Sequence, residues 1–293
     1  MKYSIIIPHY NSSETLLDLL YSIPARKDIE VIIIDDNSSS EDKTLLNEIE
    51  YDGNLTIFYN SFVNQGAGYC RNLGIEKSSG RWIIFADVDD FFMPEAFEII
   101  DRCVNDDFDI LYFNPTSLNV LKNITGSRHR DYSAIINNHL NRGYLDDVRF
   151  LFHVPWSKVF RAELIKKNGI KFDEIMVSND VMFSTRSGFK SEKIDVLDYC
   201  IYCVTERRDS LTTKSSKPNL KVRYKVEIER SKFCKENGVL KYRASLISIL
   251  FRYHGILKLG DVTNLVCLIF NSIITILPRL KLHQLLSKKL VKK

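Results

Sequence analysis

The feature that most constrains the fold is a regular alternation of strand-like and helix-like segments over the first 115 residues. Continuously apolar runs predict strands at 3–7, 30–34, 55–59, 81–86 and 109–113. The stretches between them predict helices at 13–23, 41–50, 67–77 and 95–105. Strands joined by helices pair in parallel, and runs that are apolar at every position belong to strands covered on both faces. The sequence therefore predicts an α/β fold with a mostly parallel sheet and helices on both faces.

Composition narrows the class of protein. The 293 residues are 45% hydrophobic and 27% charged, as in ordinary globular proteins, which excludes a disordered or fibrous chain. The six cysteines have no framework spacing, so we expect reduced thiols. The chain opens directly on a strand-like segment rather than on a signal peptide. These features predict a protein on the cytosolic side of the membrane.

Polar stretches follow three of the predicted strands at the point where each strand ends. They are PHYN (8–11), DDNS (35–38) and DVDD (87–90). The carboxyl ends of parallel strands share one edge of a sheet, where open α/β folds bind ligands. We therefore expect a rim of acidic side chains at this edge. Asp35–Ser38 alone could instead be a turn with a helix N-cap.

The acidic cluster at Asp87, Asp89 and Asp90 predicts a cation site. Two unit charges 4 Å apart repel by about 1 kcal/mol in water and about 4 kcal/mol at an effective dielectric constant of 20. Such a cluster is unfavourable unless a cation lies among the carboxylates. Oxygen ligands from one short loop suit Mg²⁺ or Mn²⁺ better than zinc. We expect this metal to be bound together with a diphosphate.

Four segments, taken in order, resemble the family-two glycosyltransferases of the GT-A fold, a large bacterial group that builds capsules, lipopolysaccharide and other surface glycans. They are SIIIPHYNSSETL, VIIIDDNSSSED, NQGAGYCRNLGI and GRWIIFADVDDFFMPEAFE. The similarity extends over about residues 3–213 and includes VPWSKVFRAELI and IKFDEIMVSNDVMFS. The resemblance implies inverting transfer of a sugar from a nucleotide sugar, usually UDP-linked, to a glycan or a polyprenyl-diphosphate-linked acceptor. It implies no nucleic acid partner.

The resemblance also assigns roles to residues of the donor half. It implies nucleoside contacts from the loop after the first strand, at residues 8–10, and a hydrogen bond between Asp36 and the uracil. It implies further nucleotide contacts from the glycine-containing segment at Gly66 and from the helix that carries Arg71. The DxD motif of the family matches 87–89, with Asp89 as the main metal ligand and Asp87 contacting metal or ribose, and Asp90 lies where donor and acceptor meet. The implied nucleotide-sugar residues are Pro8, His9, Tyr10, Asp36, Gly66, Arg71, Asp87, Val88 and Asp89.

The resemblance places the catalytic base at Asp180. Inverting displacement needs a carboxylate that accepts the proton of the acceptor hydroxyl. Asn179 stands where the family usually has Glu, which puts the acceptor contacts in doubt. Asp180 could instead be the N-cap of a helix over 181–187. Trp156 could stack on a sugar or fill the core, and Arg207 could contact the diphosphate or lie in an exposed charged loop.

The C-terminal segment 221–293 differs from the rest in charge. It carries 16 Lys and Arg against 4 Asp and Glu, a net +12, whereas 1–220 carries −8. The apolar stretch 262–277 is shorter than the roughly 20 residues that span a bilayer, which favours a basic helical region on an anionic membrane surface, peripheral to the inner face of the plasma membrane. Packing on the catalytic domain or in a homo-oligomer is the alternative. We expect a catalytic domain over 1–214, with a nucleotide-sugar half (1–115) and an acceptor half (116–214).

Two other functions fit parts of the pattern. A phosphotransferase of the haloacid dehalogenase type also places D-x-D after a parallel strand, but after the first one, whereas here the motif follows the fourth. A membrane-bound scaffold with an inactive glycosyltransferase fold is the non-enzymatic alternative. The presence of Asp87, Asp89 and Asp180 favours an enzyme over this scaffold.

Overall fold

The computed structural model describes residues 1–60, 65–206, 216–244 and 246–253. The strands within these residues are β1 (Tyr3–His9), β2 (Ile29–Asp35), β3 (Asn54–Tyr59), β4 (Trp82–Phe85), β5 (Phe91–Phe92), β6 (Ile110–Asn119), β7 (Ile124–Thr125), β8 (Lys158–Arg161) and β9 (Ile194–Glu206). The helices are α1 (Ser13–Tyr21), α2 (Ser40–Asn47), α3 (Ala67–Lys77), α4 (Ala96–Cys103), α5 (Arg130–Arg142), α6 (Leu145–Leu151), α7 (Ala162–Lys167), α8 (Asn179–Lys190), α9 (Lys217–Glu236) and α10 (Leu246–Tyr253). A 3₁₀ turn covers Leu240–Tyr242. The boundary between two compact units falls between Ser215 and Ser216.

The first unit is built on one mixed sheet in the order β3-β2-β1-β4-β8-β6-β9-β5, with β7 paired to β6. Strands β3, β2, β1 and β4 are parallel, as the alternation of strands and helices predicts. Antiparallel pairing begins where β8 joins β4 and β6, and parallel pairing returns between β6 and β9. The α/β fold expected from the sequence is confirmed, and its second half is mixed rather than parallel.

Burial explains the two kinds of strand pattern. All seven residues of β1 are buried, and β2 is buried at every position except Glu30, because both strands have neighbours on each side and helices on each face. The edge strand β3 alternates between exposed and partly buried residues. Its position at the edge exposes one side of the strand to solvent.

An aromatic cluster fixes α8 against the sheet. Phe85 of β4 contacts the rings of Phe160, Phe172 and Phe183 with centroid separations of 5.7, 5.1 and 5.5 Å. Phe172 and Phe183 stack at 3.8 Å. Aromatic pairs of this kind stabilise a core beyond their buried area by about 0.5–1.5 kcal/mol. The helix that begins with Asn179 and Asp180 is therefore held close to the end of β4.

The second unit contains a pair of helices. Of the basic region 221–293, expected to be helical, α9 contains the residues up to Glu236 and α10 contains Leu246–Tyr253, with a break after Glu236 where Gly238 has a φ of 77°. Ile249 and Tyr253 of α10 pack with Leu220, Tyr224 and Ile228 of α9. The predicted apolar stretch 262–277 lies outside the described residues. Within the described parts of the chain, none of the helices combines the length and apolar character that a bilayer span requires.

Candidate active site

The parallel strands bring the three polar stretches to one edge of the sheet. The β1–β2 register pairs His9 with Asp35, and the Asp36 amide donates to the His9 carbonyl over 2.8 Å. Strand β4 pairs with the other side of β1, so residues 87–90 emerge beside residues 8–11. The rim expected from the strand order is present in the structure.

The first loop places its three predicted nucleoside residues differently. Pro8 is buried within β1, and His9 is buried with its Nδ1 3.0 Å from an Asp35 oxygen and its Nε2 3.2 Å from Ser13 Oγ. The Tyr10 side chain is half exposed. Of the three, Tyr10 is therefore the side chain that a ligand can reach directly. His9 stabilises the loop through its hydrogen bonds in the interior.

His9, Asp35 and Asp42 bring potential metal-ligand atoms within 4.8 Å of one another. The carboxylate of Asp42 lies 3.4 Å from His9 Nε2 and 3.0 Å from Ser13 Oγ. Hydrogen bonds already connect these groups, so they form a buried His–carboxylate network that ties β1 to β2 and α2. The carboxylates predicted to hold a metal are those at the end of β4.

Asp36 is almost fully buried and organises the turn before α3. One carboxylate oxygen accepts from Asn60 Nδ2 and the Gln65 amide, each at 2.9 Å, and the other accepts from the Gly66 amide at 2.6 Å. Gly66 has a φ of 86°, a conformation that glycine adopts without strain. At Gly68, a Cβ would lie 2.2 Å from the Asp173 carbonyl oxygen. The glycines allow α3 to start close to the segment before α8.

The three aspartates after β4 have three different environments. Asp87 Oδ1 accepts from Arg71 Nη2 over 2.5 Å, so its charge is paired. Asp90 is buried, and its oxygens accept from the Thr205 amide at 2.8 Å and Tyr202 Oη at 3.1 Å. Burial raises the pKa of Asp90 well above its usual range, with contributions from Asp87 and Asp89. Asp89 and Val88 are partly exposed.

These environments change the prediction for Asp90. Its carboxyl lies in the interior and anchors the loop, whereas the resemblance placed it where donor and acceptor meet. Of the three aspartates, Asp87 and Asp89 are the ones whose carboxylate oxygens lie toward the surface and could bind a metal. Such hard oxygen ligands fit Mg²⁺ or Mn²⁺.

Arg71 connects the acidic loop to α8. Its Nη1 donates to Asn179 Oδ1 over 2.9 Å, while Nη2 bonds Asp87. The guanidinium is buried and lies 5.3 Å from the centre of the Phe172 ring. Its Nε has no hydrogen-bond partner among the described residues. One arginine therefore holds together two segments that are far apart in the chain and that each carry a predicted site residue.

Asp180 lies in the first turn of α8, one residue after Asn179. The helix starts at Asn179 with Ser178 in the N-cap position, so the alternative that Asp180 is the N-cap of a helix over 181–187 is wrong. Burial raises the pKa of Asp180 above its usual range, and Asp87 adds to this, whereas Arg71 and Lys158 oppose it. A carboxylate with a raised pKa accepts a proton more readily, which suits a general base.

Two of the less specific predictions have different outcomes. Trp156 is buried, stacks on Tyr202 at 5.9 Å and contacts Tyr132 at 5.2 Å, so its indole fills the core rather than forming a sugar platform. Arg207 lies outside the described residues.

Sequence reasoning missed Tyr202 and Thr205. Tyr202 Oη accepts from the Asp87 amide at 2.8 Å and donates to Asp90, and Thr205 Oγ1 donates to the Asp89 carbonyl at 2.6 Å. Both residues lie in β9, more than 110 positions from the loop that they support. No local pattern signals such a contact.

A surface groove of about 340 Å³ borders Asp89. Its walls combine two carboxylates and two hydroxyl groups with aromatic and aliphatic side chains. The lining residues are Asp18, Tyr21, Asp89, Phe91, Leu118, Val120 and Thr205.

Comparison with known proteins gives a consistent result. Residues 4–169 match the model of Glycosyl transferase family 2. A poly(ribitol-phosphate) beta-glucosyltransferase of Bacillus spizizenii is 32% identical over 215 residues, which are 71% of this chain and 33% of that protein. The poly(ribitol-phosphate) beta-N-acetylglucosaminyltransferase TarS of Staphylococcus aureus is 24% identical over 214 residues, 71% of this chain and 36% of that protein. The chain thus spans about a third of the length of these relatives.

Solved structures share the fold. S. aureus TarS 1–349 in complex with UDP-GlcNAc has a TM-score of 0.61 at 22% identity, covering 78% of this chain and 66% of that one. The mannosyltransferase PcManGT from Pyrobaculum calidifontis, in complex with GDP-Man and Mn²⁺, has a TM-score of 0.59 at 13% identity, covering 93% and 80%. The GT-A fold expected from the resemblance is confirmed. Because the family model covers more than half of the 293 residues, the chain belongs to glycosyl transferase family 2.

Proposed function

We propose that this protein transfers a sugar from a nucleotide sugar, a UDP-sugar, to a hydroxyl group of a bacterial surface polysaccharide or its lipid-linked precursor, with inversion at the anomeric carbon. The observation that carries the proposal is the link from Asp87 through Arg71 to Asn179, which sets the DxD loop beside the helix of Asp180. A donor-binding carboxylate and a candidate base thereby belong to one site.

In the proposed reaction, the acceptor oxygen forms a bond to the anomeric carbon as the bond from that carbon to the diphosphate oxygen breaks. Asp180 takes the proton of the acceptor hydroxyl, and the nucleoside diphosphate leaves on the opposite face. Asp87 and Asp89 would hold Mn²⁺ or Mg²⁺, which when bound stabilises negative charge on the leaving diphosphate. Tyr10 and Asp36 lie at the edge where the nucleoside is proposed to bind.

The acceptor class is proposed on two grounds. Two of the relatives are named as glycosyltransferases of poly(ribitol-phosphate), and ribitol is a polyol with several hydroxyl groups. The groove beside Asp89 combines aromatic Tyr21 and Phe91 with the carboxylate of Asp18, groups that suit a hydroxylated chain. The proposed donor sugar is a hexose or an N-acetylhexosamine, and a screen of nucleotide sugars distinguishes the two.

The test is a screen of nucleotide sugars for slow hydrolysis, with and without Mn²⁺. We expect one UDP-sugar to be hydrolysed, dependent on the metal, and the Asp89→Ala variant to lose metal-dependent UDP binding while keeping its fold. The inactive scaffold would be favoured if UDP binding did not depend on Mn²⁺ and no donor were hydrolysed. The haloacid dehalogenase alternative is excluded by the family to which the chain belongs.

We propose that the basic region 221–293 places the enzyme at an anionic membrane surface, where a polyprenyl-diphosphate-linked acceptor would be found. The support is its net charge of +12 against −8 for residues 1–220. Lys and Arg near an anionic surface each contribute about 1 kcal/mol to binding. A homo-oligomer formed through the same region is the competing proposal.

A further inference from the structure

Lys158 is a fully buried lysine for which the proposed reaction has no role. It lies in β8 with 0% of its surface exposed, whereas lysine is almost never fully buried unless it is paired. Its Nζ donates to the Phe152 carbonyl over 2.6 Å and lies 3.4 Å from Ser184 Oγ. Among the described residues, its hydrogen-bond partners are this carbonyl and this hydroxyl, and it takes part in no ion pair.

The surroundings of Lys158 only partly replace water. The rings of Tyr112, Phe152 and Phe160 lie 5.0, 4.9 and 5.8 Å from Nζ, distances at which their faces attract a cation. An ammonium ion without a counter-charge still pays a large desolvation penalty. Burial accordingly lowers the pKa of Lys158 well below its usual range, and among the described residues the charge of Asp180 opposes this.

Lys158 contacts the helix that carries Asp180. Ser184 follows Asp180 by four positions in α8, so the two side chains project from the same face of the helix, one turn apart. Ser184 Oγ also donates to the His153 carbonyl. Through its contacts with Ser184 Oγ and the Phe152 carbonyl, Lys158 of β8 therefore connects the first turns of α8 to the end of α6.

Among the described residues, the other ionisable groups that interact electrostatically with Asp180 belong to three further elements. Arg71 of α3 and Asp87 of the loop after β4 act on it with opposite signs, and Tyr132 of α5 is a neighbour whose pKa is raised by burial and by Asp180. Arg71 divides its hydrogen bonds between Asp87 and Asn179. Lys158 approaches α8 from the interior, and its amino group forms no ion pair with another described residue.

We propose that Lys158 is a positioning residue of the active site, which anchors α8 through Ser184 and supplies a buried positive charge to the carboxylate of Asp180. The role in catalysis rests on the proposed function, in which Asp180 is the base. The charge coupling itself is a property of the fold and can be measured whether or not the donor is known.

The coupling is tested by a double-mutant cycle on urea unfolding at pH 7, with Lys158→Met, Asp180→Asn and the double variant. We expect Asp180→Asn to lower the unfolding midpoint of the wild type, because Lys158 loses its counter-charge. In the Lys158→Met background the same change should leave the midpoint unaltered or raise it. Additive effects of the two substitutions would overturn the proposal.

Two further variants make the cycle decisive. Lys158→Gln keeps a hydrogen-bond donor for the Phe152 carbonyl without the charge, and it replaces Lys158→Met in the cycle if the methionine variant does not fold. Lys166→Met is the matched control, because Lys166 Nζ also donates to a carbonyl, that of Ser78 at 2.6 Å, but at an exposed site. Lys166→Met and Asp180→Asn should be additive.

The catalytic part is tested by the pH dependence of UDP-GlcNAc hydrolysis with Mn²⁺. Loss of a positive charge near Asp180 raises the pKa of the base, so Lys158→Gln should move the acidic limb of the profile to higher pH. The plateau at high pH should stay within about threefold of the wild type. A lowered plateau with an unmoved limb would mean that Lys158 only supports the fold. If the wild type hydrolyses no donor, the proposed function fails while the unfolding cycle still decides the coupling.

Discussion

At the scale of single residues, the acidic loop after β4 avoids mutual repulsion by giving each carboxyl a different environment. Arg71 pairs with Asp87, and Asp90 is buried where burial favours its protonated form. The cluster thus presents less negative charge than its composition suggests. A metal at Asp87 and Asp89 would still add to binding, because these two carboxylates lie toward the surface.

Asp180→Asn should reduce turnover by about 10²–10⁴-fold, the usual contribution of general-base catalysis. Affinity for UDP should be unchanged, because the base acts on the acceptor and not on the nucleotide. Turnover of the donor found in the screen and UDP binding by calorimetry are the two measurements. A loss below about threefold would contradict the assignment of Asp180 as base.

Tyr202→Phe should destabilise the acidic loop. The change removes the acceptor of the Asp87 amide and one donor to Asp90, and an unpaired buried polar group costs about 1–3 kcal/mol. We expect that loss in the free energy of unfolding, together with weaker Mn²⁺-dependent UDP binding. Tyr199→Phe is the matched control, since Tyr199 lies in the same strand with 48% of its surface exposed and should change stability by less than about 0.5 kcal/mol. Equal effects of the two changes would contradict this role of Tyr202.

At the scale of elements, α4 is tied to the start of β1 and to the loop before β2 by one carboxylate. Asp101 accepts from Lys2 at 2.5 Å, from Tyr3 Oη at 2.7 Å and from Arg26 at 2.5 Å. Burial alone would raise the pKa of Asp101, but the hydrogen bonds from Arg26, Lys2 and Tyr3 outweigh it and hold the pKa below its usual range.

Asp101→Asn should therefore destabilise the first unit in a pH-dependent way. A carboxyl whose pKa is lower in the folded than in the unfolded state stabilises the fold above the unfolded pKa of about 3.9 and loses that effect as the pH falls. We expect a loss of about 1–2 kcal/mol at pH 7, modest because the group is partly exposed to solvent. Urea unfolding between pH 3 and 8 checks this, and a difference between the two proteins that does not shrink below pH 4 would contradict it.

At the scale of the whole molecule, the sequence predicts features that depend on short segments and misses contacts between residues that are far apart in the chain. Strands β1, β2 and β4 and the rim at their ends follow from apolar runs that each span a few residues. The contacts that complete the site join residues far apart, as Arg71 with Asn179 and Tyr202 with Asp90 do. Residue type alone also left Trp156 open between sugar contact and core, a choice that only its packing on Tyr202 and Tyr132 decides.

The charge asymmetry between 1–220 and 221–293 leads to a prediction about the full chain. The 293-residue chain should float with anionic liposomes at low salt, where the Debye length exceeds its physiological value of about 8 Å and the attraction of the basic region to the anionic surface is weakly screened. High salt should release it only partly if the apolar stretch 262–277 also inserts into the interface. Neutral liposomes provide the control surface.

Truncation after Lys258 separates membrane binding from the competing proposal. The shortened protein should stay in solution beside anionic liposomes and still bind UDP with Mn²⁺, because every described site residue precedes Thr205 or is Thr205 itself. Loss of folding on truncation would instead assign the C-terminal region to the core. If the untruncated protein does not bind anionic liposomes and sediments as a dimer, the region belongs to a homo-oligomer interface. Sedimentation of both forms at several concentrations distinguishes these two outcomes, since only a dimer interface makes the apparent mass depend on concentration.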